Sequence, residues 1–446
     1  MRTGTKIILG ASGLVALLLV AAVALCVYHV ISFSLGQRHL ATGHAKMHQE
    51  QYEAAIDDYT RALQCSIGKT LRSYALANRG VCRARSTKGL KDEAVDDLTA
   101  ALRLDDRLGY VYLERGTIRT SQGDEAAAWD DYSRAVAVDP NASTALFYRG
   151  MISARRKQWS AAIVDFSEAI RANPNAAEIY VHRALAYDQM NDVGGAHASF
   201  DAAIQISAKN VIAYLERGKF FARRHDLTRA IEDFSRALAI AADASNVRHA
   251  RAHAFAANGQ WPEAIADWSE ILRLNSRDEH ALEKRGRAYS WTGEADRALV
   301  DLSELIRITQ SGRAYELRGQ AFVRAGRYQE AIADYTVASR QGGKSGIPVK
   351  TLAWLLATCP EPSVRRGEEA VKEATEACLK NNWSDWNRVD TLAAAYAEVG
   401  DFEQAAKYQE QALATPNLHE EQRKELEDRL ALYRAGIPYR DLPKPP

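Results

Sequence analysis

Two sets of histidines have the spacing for metal chemistry. His29, His39, His44 and His48 fall in a twenty-residue window beside Met47, 4 of the chain's 11 histidines. His44 and His48, four apart, share a face on any helix, and imidazole with a thioether suits copper. His249 and His253 repeat the four-residue step, with His280 and Glu283 further along. Zinc takes that donor set. No recognised metal motif brackets either group, and histidines on polar helix faces are ordinarily solvated, so neither is assigned a metal.

Other candidate chemistry fails on spacing. Ile67-Gly68-Lys69-Thr70 imitates the end of a phosphate loop, but that motif needs a glycine where Leu63 stands, and no strand precedes it. The five cysteines, Cys26, Cys65, Cys82, Cys359 and Cys378, are odd in number and show no CxxC or Cys/His zinc spacing. They read as inert thiols, with no geometry to join Cys65 to Cys82. There is no HExxH and no GxSxG. The sequence therefore assigns no catalytic residue, no cofactor and no metal ligand.

The elements that would position such residues follow from composition and period. The chain has 446 residues, 47% hydrophobic and 26% charged, an ordinary globular balance that excludes a disordered tail. Lys+Arg number 58 and Asp+Glu 57, so no overall field recommends nucleic acid as a partner. Length alone suggests about three domains, a prior that fails for arrays growing by stacking.

After a short tail, residues 1–6, the stretch Ile7 to Ile31 carries no Lys, Arg, Asp or Glu. It is long enough to span a bilayer, which takes about 20 apolar residues. The anchor is placed at 7–33. Arg2 and Lys6 precede it and Arg38 and Lys46 follow, a slight bias that puts the amino terminus in the cytoplasm and the rest in the periplasm. Ala22-Val23-Ala24 resembles a signal-peptidase site, yet the apolar run continues through Val27, Val30, Ile31 and Phe33, as in an uncleaved anchor. Leu25 before Cys26 departs from a lipoprotein signal.

Beyond the anchor a dipeptide, Arg-Gly or Arg-Ala, recurs with its arginine at 79, 115, 149, 183, 217, 251, 285 and 318. Each is followed by Ala-x-x-x-aromatic or Ala-x-x-x-Leu, as in Ala128 to Tyr132, Ala162 to Phe166 and Ala264 to Trp268; Gly43 and Ala55 to Tyr59 supply an earlier copy. A period near 34 with small residues at two fixed places resembles the tetratricopeptide repeat. The resemblance implies an all-α fold, a right-handed α-solenoid or superhelix of about eleven helix-turn-helix units. Nine regular repeats cover 36–345 and two divergent ones 346–417; a capping helix follows at 418–435 and an irregular tail at 436–446. Gly150 and Ala162 are read as the small residues at the close approach of one repeat's two helices, where larger side chains overpack. Gly123, Gly259, Gly293, Gly326 and Gly400 read as left-handed caps ending first helices, and Asp139-Pro140 and Asn173-Pro174 as ends of second helices. The extra residues of the second copy fall in the turn Ser86 to Lys91. The stretch from Leu352 to Arg440 is similar to the carboxyl end of many bacterial tetratricopeptide proteins.

Arginine in eight copies faces Asp97, Asp131, Asp165, Asp233, Asp267, Asp301 and Asp334 at the matching place of the second helix, with Ser199 breaking the series. This reads as a structural ion-pair ladder. In the family, first helices line a concave groove that receives peptides or a partner helix. Aligning the small residue of each copy then implies groove positions Tyr110, Thr117, Phe147, Met151, Arg155, Val181, Gln189, Lys219, Arg223, His249, His253, Glu283, Arg287, Trp291 and Arg324. Aromatic, Met and Arg side chains suit protein recognition.

An anchor before many repeats also resembles the import receptors of the mitochondrial outer membrane. Their Lys/Asn carboxylate clamp is absent here, where the corresponding positions are Leu40, His44, Ala77 and Val81. The expected function is a non-enzymatic scaffold for protein–protein interaction, held in a bacterial inner membrane through residues 7–33 with its repeats in the periplasm. It would act in envelope complex assembly. Its partners would be proteins or peptides, not nucleic acid, with self-association open. The alternatives are a metal- or ligand-binding module and an import-receptor-like protein.

Overall fold

The computed structural model describes residues 4–341 and 347–441. Every regular element among them is helical: 23 α-helices, one 3-10 turn and no strand. The junction drawn between 345 and 346 and the two chain ends lie outside the described residues.

The repeat at Ser143–Arg155 and Trp159–Ala172 shows why these segments form helices and pair. Apolar residues recur at three-and-four spacing, and Leu146, Ile152, Ala162, Phe166 and Ala169 are all buried. Gly123, Gly259, Gly293, Gly326 and Gly400 all have positive φ, between 70° and 85°. The left-handed turn that ends each first helix is thereby met without a Cβ clash. Asp124, Asp192, Asp226 and Asp278 cap helix starts by accepting a backbone N–H with the side chain.

The helices fall into two compact units, residues 1–216 and 217–446. The first opens with an unbroken 45-residue helix, Gly4–His48. The sequence draws an anchor at 7–33 and a repeat from Gly36; in the structure one helix runs through both, Gly36 included. Its far end pairs with Tyr52–Gln64, then hairpins follow at Lys69–Arg85 with Lys91–Leu104, Gly109–Gln122 with Glu125–Val138, Ser143–Arg155 with Trp159–Ala172, and Ala177–Gln189 with Val193–Ile206. The extra residues of the second copy sit between Arg85 and Lys91, in the turn.

In the second unit Leu227–Ile240 is followed by hairpins at Ser245–Ala257 with Trp261–Leu274, Glu279–Trp291 with Ala295–Thr309, and Gly312–Arg324 with Tyr328–Gln341. Two further pairs, Ile347–Thr358 with Gly367–Leu379 and Trp386–Glu398 with Phe402–Leu413, lead to the last helix, Glu420–Arg434. That helix covers the array's end with Leu426, Leu430 and Tyr433, all buried. It also carries Arg429, whose Nε donates to buried Asp390 at 2.9 Å, while Gln409 Nε2 donates to the same oxygen at 2.8 Å. Burial pushes the Asp390 carboxyl up, against the pull of those two partners.

The described residues after the last helix, 435–441, form no regular element and are docked. Trp354 Nε1 donates to Asp441 at 2.8 Å, the Asp441 N–H donates to the Thr358 carbonyl at 2.9 Å, and Arg440 pairs with Glu398 at 2.7 Å.

Candidate functional site

The most regular constellation is the arginine row. In seven repeats the guanidinium is bidentate: Nε and Nη2 of Arg79, Arg115, Arg149, Arg217, Arg251, Arg285 and Arg318 reach the two carboxylate oxygens of the Asp predicted for each, at 2.5–3.0 Å. All seven aspartates are buried. A third bond was not anticipated. Nη1 of Arg79, Arg115, Arg251, Arg285 and Arg318 donates to Thr60, Thr99, Ser235, Ser269 and Ser303 in the preceding second helix. Each of these five guanidiniums so ties two repeats together, with Nε, Nη1 and Nη2 all bonded, which is a structural role. The available signal was the hydroxyl residue directly after each second-helix aromatic or leucine, as in Phe234-Ser235 and Trp268-Ser269.

The close approach inside a repeat differs from the expected Gly150–Ala162 contact. A Cβ at Gly150 would meet the Phe166 ring at 2.8 Å, and the same holds for Gly116 on Tyr132 (2.7 Å), Gly218 on Phe234 (2.6 Å) and Gly319 on Tyr335 (2.8 Å). The glycine makes room for the aromatic four residues past the alanine, while Ala162 is simply buried.

The histidines do come together. His44 Nε2 lies 3.2 Å from His48 Nε2. His39 instead faces Asp58 at 3.7 Å, and Met47 packs into the first repeat's core. His253 Nε2 lies 2.7 Å from His280 Nε2, and His249 Nε2 is 3.4 Å from Asp278. Glu283 turns to Lys284 and Arg287. Among the described residues no three His, Cys, Asp or Glu side chains are arranged to hold a metal ion. The cysteines are free thiols; burial pushes Cys82 up to about 11 and Cys378 up to about 12, so neither is a ready thiolate.

The implied groove positions separate by exposure. In the first unit Tyr110, Thr117, Arg155 and Gln189 face solvent, and Arg155 is paired with Glu125 at 2.7 Å. Phe147 and Met151 are half-buried, Phe147 lying against the rings of Phe166 and His182. Val181, at 3% exposure, is core and offers no surface; the period placed it correctly on a first helix, but on the face that packs inward. In the second unit Lys219 is half-buried and Arg223 exposed. The strongest cluster is Arg287, Trp291 and Arg324, which with Ser290, Leu302, Leu317 and Gln320 line a cavity of about 60 Å³. Trp291 is 59% exposed, and the Arg324 guanidinium lies 4.2 Å from its ring centroid. Arg287 and Arg324 are the charged residues of the lining; Arg287 is also 3.6 Å from Glu283, and Gln320 donates to Glu316 at 3.2 Å.

One described helix, within Leu17–His48, is long and apolar enough to cross a membrane, and its apolar stretch is uncovered by the rest of the protein.

Several solved structures are similar to this chain. Tom70 from yeast is 15% identical over 90% of this chain and 96% of its own, with a TM-score of 0.39. A tetratricopeptide repeat protein from Parabacteroides merdae is 19% identical over 64% and 98%, at 0.41. The carboxyl-terminal part of a repeat protein from Cytophaga hutchinsonii is 18% identical over 54% and 97%, at 0.46. No curated protein matches the chain. The family model described as "Tetratricopeptide repeat" matches residues 113–177, 181–245, 249–312 and 292–345, about half of the sequence. With the paired helices and their 34-residue period, this match places the chain in the tetratricopeptide repeat family, whose fold is a scaffold for protein interaction.

Proposed function

We propose that the protein is a membrane-tethered, non-enzymatic scaffold that binds an acidic segment of a partner protein on the first helices of its second unit. The observation that carries this reading is the Trp291–Arg324 stack with Arg287 beside it. A large aromatic left 59% exposed, pre-ordered by a cation and flanked by a second one, has the make-up of a binding hot spot for a carboxylate-bearing segment. The uncovered apolar helix supports a single anchor in a bacterial inner membrane. The slight charge bias of its flanks supports repeats on the periplasmic side, serving assembly of envelope complexes.

The test uses full-length protein in detergent against an array of acidic peptides and their lysine-substituted counterparts. Acidic peptides should be retained selectively. Trp291→Ala should weaken retention by about thirty-fold, the equivalent of about 2 kcal/mol, and Arg324→Glu should abolish it, both without lowering Tm. Equal retention by wild type and both variants would refute the site.

A further inference from the structure

The fold gathers basic residues from separate parts of the sequence around the point where the apolar helix ends. The Ser66 N–H donates to Ser32 Oγ at 2.8 Å. A Cβ at Gly36 would meet Ile67 Cγ2 at 2.5 Å and Cys65 Cβ at 2.9 Å. The loop between Tyr52–Gln64 and Lys69–Arg85 is thus clamped against the first helix at Ser32 and Gly36, about one turn apart and flanking Phe33.

Four cations surround this clamp. Arg38 follows Phe33 by five residues, about 8 Å along the helix at 1.5 Å per residue. Arg61 stands in the last turn before the loop, and Lys69 and Arg72 in the first turn after it. Arg38, Arg61 and Lys69 are exposed and Arg72 half-buried. None of the four has an ion pair among the described residues. The nearby Asp58 is taken by Lys46 at 2.7 Å and faced by His39, and Asp57 is the one other acid between residues 54 and 91. Only Arg38 is close to the apolar run in sequence; the other three arrive by folding.

We propose that this clamp is a docking surface for the headgroups of anionic phospholipids, with lipid phosphates bound by Arg38, Arg61, Lys69 and Arg72. The proposal rests on reading the apolar helix as a membrane anchor. Two arguments favour a lipid occupant. The surface continues directly from the apolar run, so a bilayer around that run brings its phosphates to this level. Arg38 lies about one screening length, roughly 8 Å, from the end of the run, where attraction to an anionic surface survives physiological salt, and the clamped loop carries the other three cations on its two flanks. Each such residue is worth about 1 kcal/mol, or about five-fold in association. Three together then amount to about a hundred-fold.

The test is hydrogen exchange of residues 61–72 in the full chain, embedded in phosphatidylcholine nanodiscs with or without phosphatidylglycerol. Phosphatidylglycerol should slow exchange of this segment several-fold. The combined variant Arg61→Gln, Lys69→Gln, Arg72→Gln should lose that protection while keeping its Tm in phosphatidylcholine, and about 1 M salt should erase it in the wild type. Equal exchange in the two lipid compositions would overturn the proposal. So would equal protection from glycerol phosphate added to phosphatidylcholine discs, which would mark a soluble anion site. Alkaline carbonate extraction separates the two readings. Release of the chain from membranes removes the anchor, and phosphatidylglycerol-dependent protection on vesicles would then still uphold the surface. Retention without lipid dependence keeps the anchor and removes the surface.

Discussion

Arg183 donates from Nε to the hydroxyl of Ser199 at 3.1 Å, in the place where seven other repeats pair arginine with a buried aspartate. Its Nη1 reaches a second hydroxyl, Ser167, at 3.4 Å, and its guanidinium lies 5.3 Å from the Tyr180 ring centroid. A guanidinium held by hydroxyls lacks the bidentate pairing with a carboxylate that fixes its neighbours. Ser199→Asp should therefore stabilise the protein, by about 1 kcal/mol once the cost of burying the new carboxylate is set against bonds worth about 1.5–3 kcal/mol. The reverse change in the adjoining repeat, Asp165→Ser, leaves Arg149 uncompensated and should cost about 3 kcal/mol. Urea denaturation midpoints check both. A destabilised Ser199→Asp variant would show that the ladder is not set by charge pairing.

The glycines of the repeat divide into two kinds, and alanine should separate them. At Gly150 a Cβ would press on the Phe166 ring at 2.8 Å. Overpacking costs about 1–3 kcal/mol, against a gain near 1 kcal/mol in helix propensity. Gly150→Ala should then lose about 1 kcal/mol net. Gly194 has only Asp192 Oδ1 nearby, at 3.8 Å, so Gly194→Ala should gain up to about 1 kcal/mol. Thermal unfolding of the two variants should move in opposite directions.

Four turns, at Glu50, Lys157, Asn191 and His225, carry side chains where other repeats have glycine. Lys157 and His225 sit at φ 58° and 61°, at the same place after a first helix as Gly259 and Gly326. A left-handed conformation costs most L-residues about 1–2 kcal/mol. Lys157→Gly and His225→Gly should each raise stability, by about 0.5–1 kcal/mol after the larger unfolded-state entropy of glycine is subtracted. Asn191, at φ 58°, tolerates this region better, so Asn191→Gly should gain less. Equal Tm values for the lysine and glycine forms would exclude strain at that turn.

The hairpins and their ion pairs were legible because each depends on residues at a fixed step, so that Arg149 and Asp165 announce one another through seven repetitions. The third bond was missed because it crosses from one repeat to the previous one, where period alone gives no direction. The Gly150–Phe166 contact was misassigned for a related reason: a pattern of small residues locates a close approach but not which side chain fills it. The docked tail was invisible. Trp354 and Asp441 are 87 positions apart and belong to no periodic series, and their hydrogen bond is a product of tertiary packing. Among the implied groove positions, Val181 and Trp291 came from the same alignment and ended as core and open surface, because helix rotation decides exposure residue by residue.

The His253–His280 contact should make stability depend on pH. Their Nε2 atoms are 2.7 Å apart, so one neutral ring donates to the other, and protonating both would set two cations face to face. Burial, helped by His280, Lys284 and His249, pushes His253 down to about 4. Burial, His249 and Lys284 also lower His280, against the opposing pull of Glu283 and Asp278. An unfolded histidine takes its proton near the ordinary value of 6.5, whereas folded His253 resists until about 4. Between those values the unfolded chain binds more protons, so stability must fall as pH falls through that window. Both histidines are nonetheless exposed at the surface, which screens the effect and keeps the decline to a few degrees of Tm. His253→Asn, which preserves a neutral partner for His280, should flatten the pH 6.5 to 4 decline relative to wild type, while the carboxylate titrations common to both chains cancel in the comparison. Parallel Tm curves across that range would remove the histidine pair as the cause.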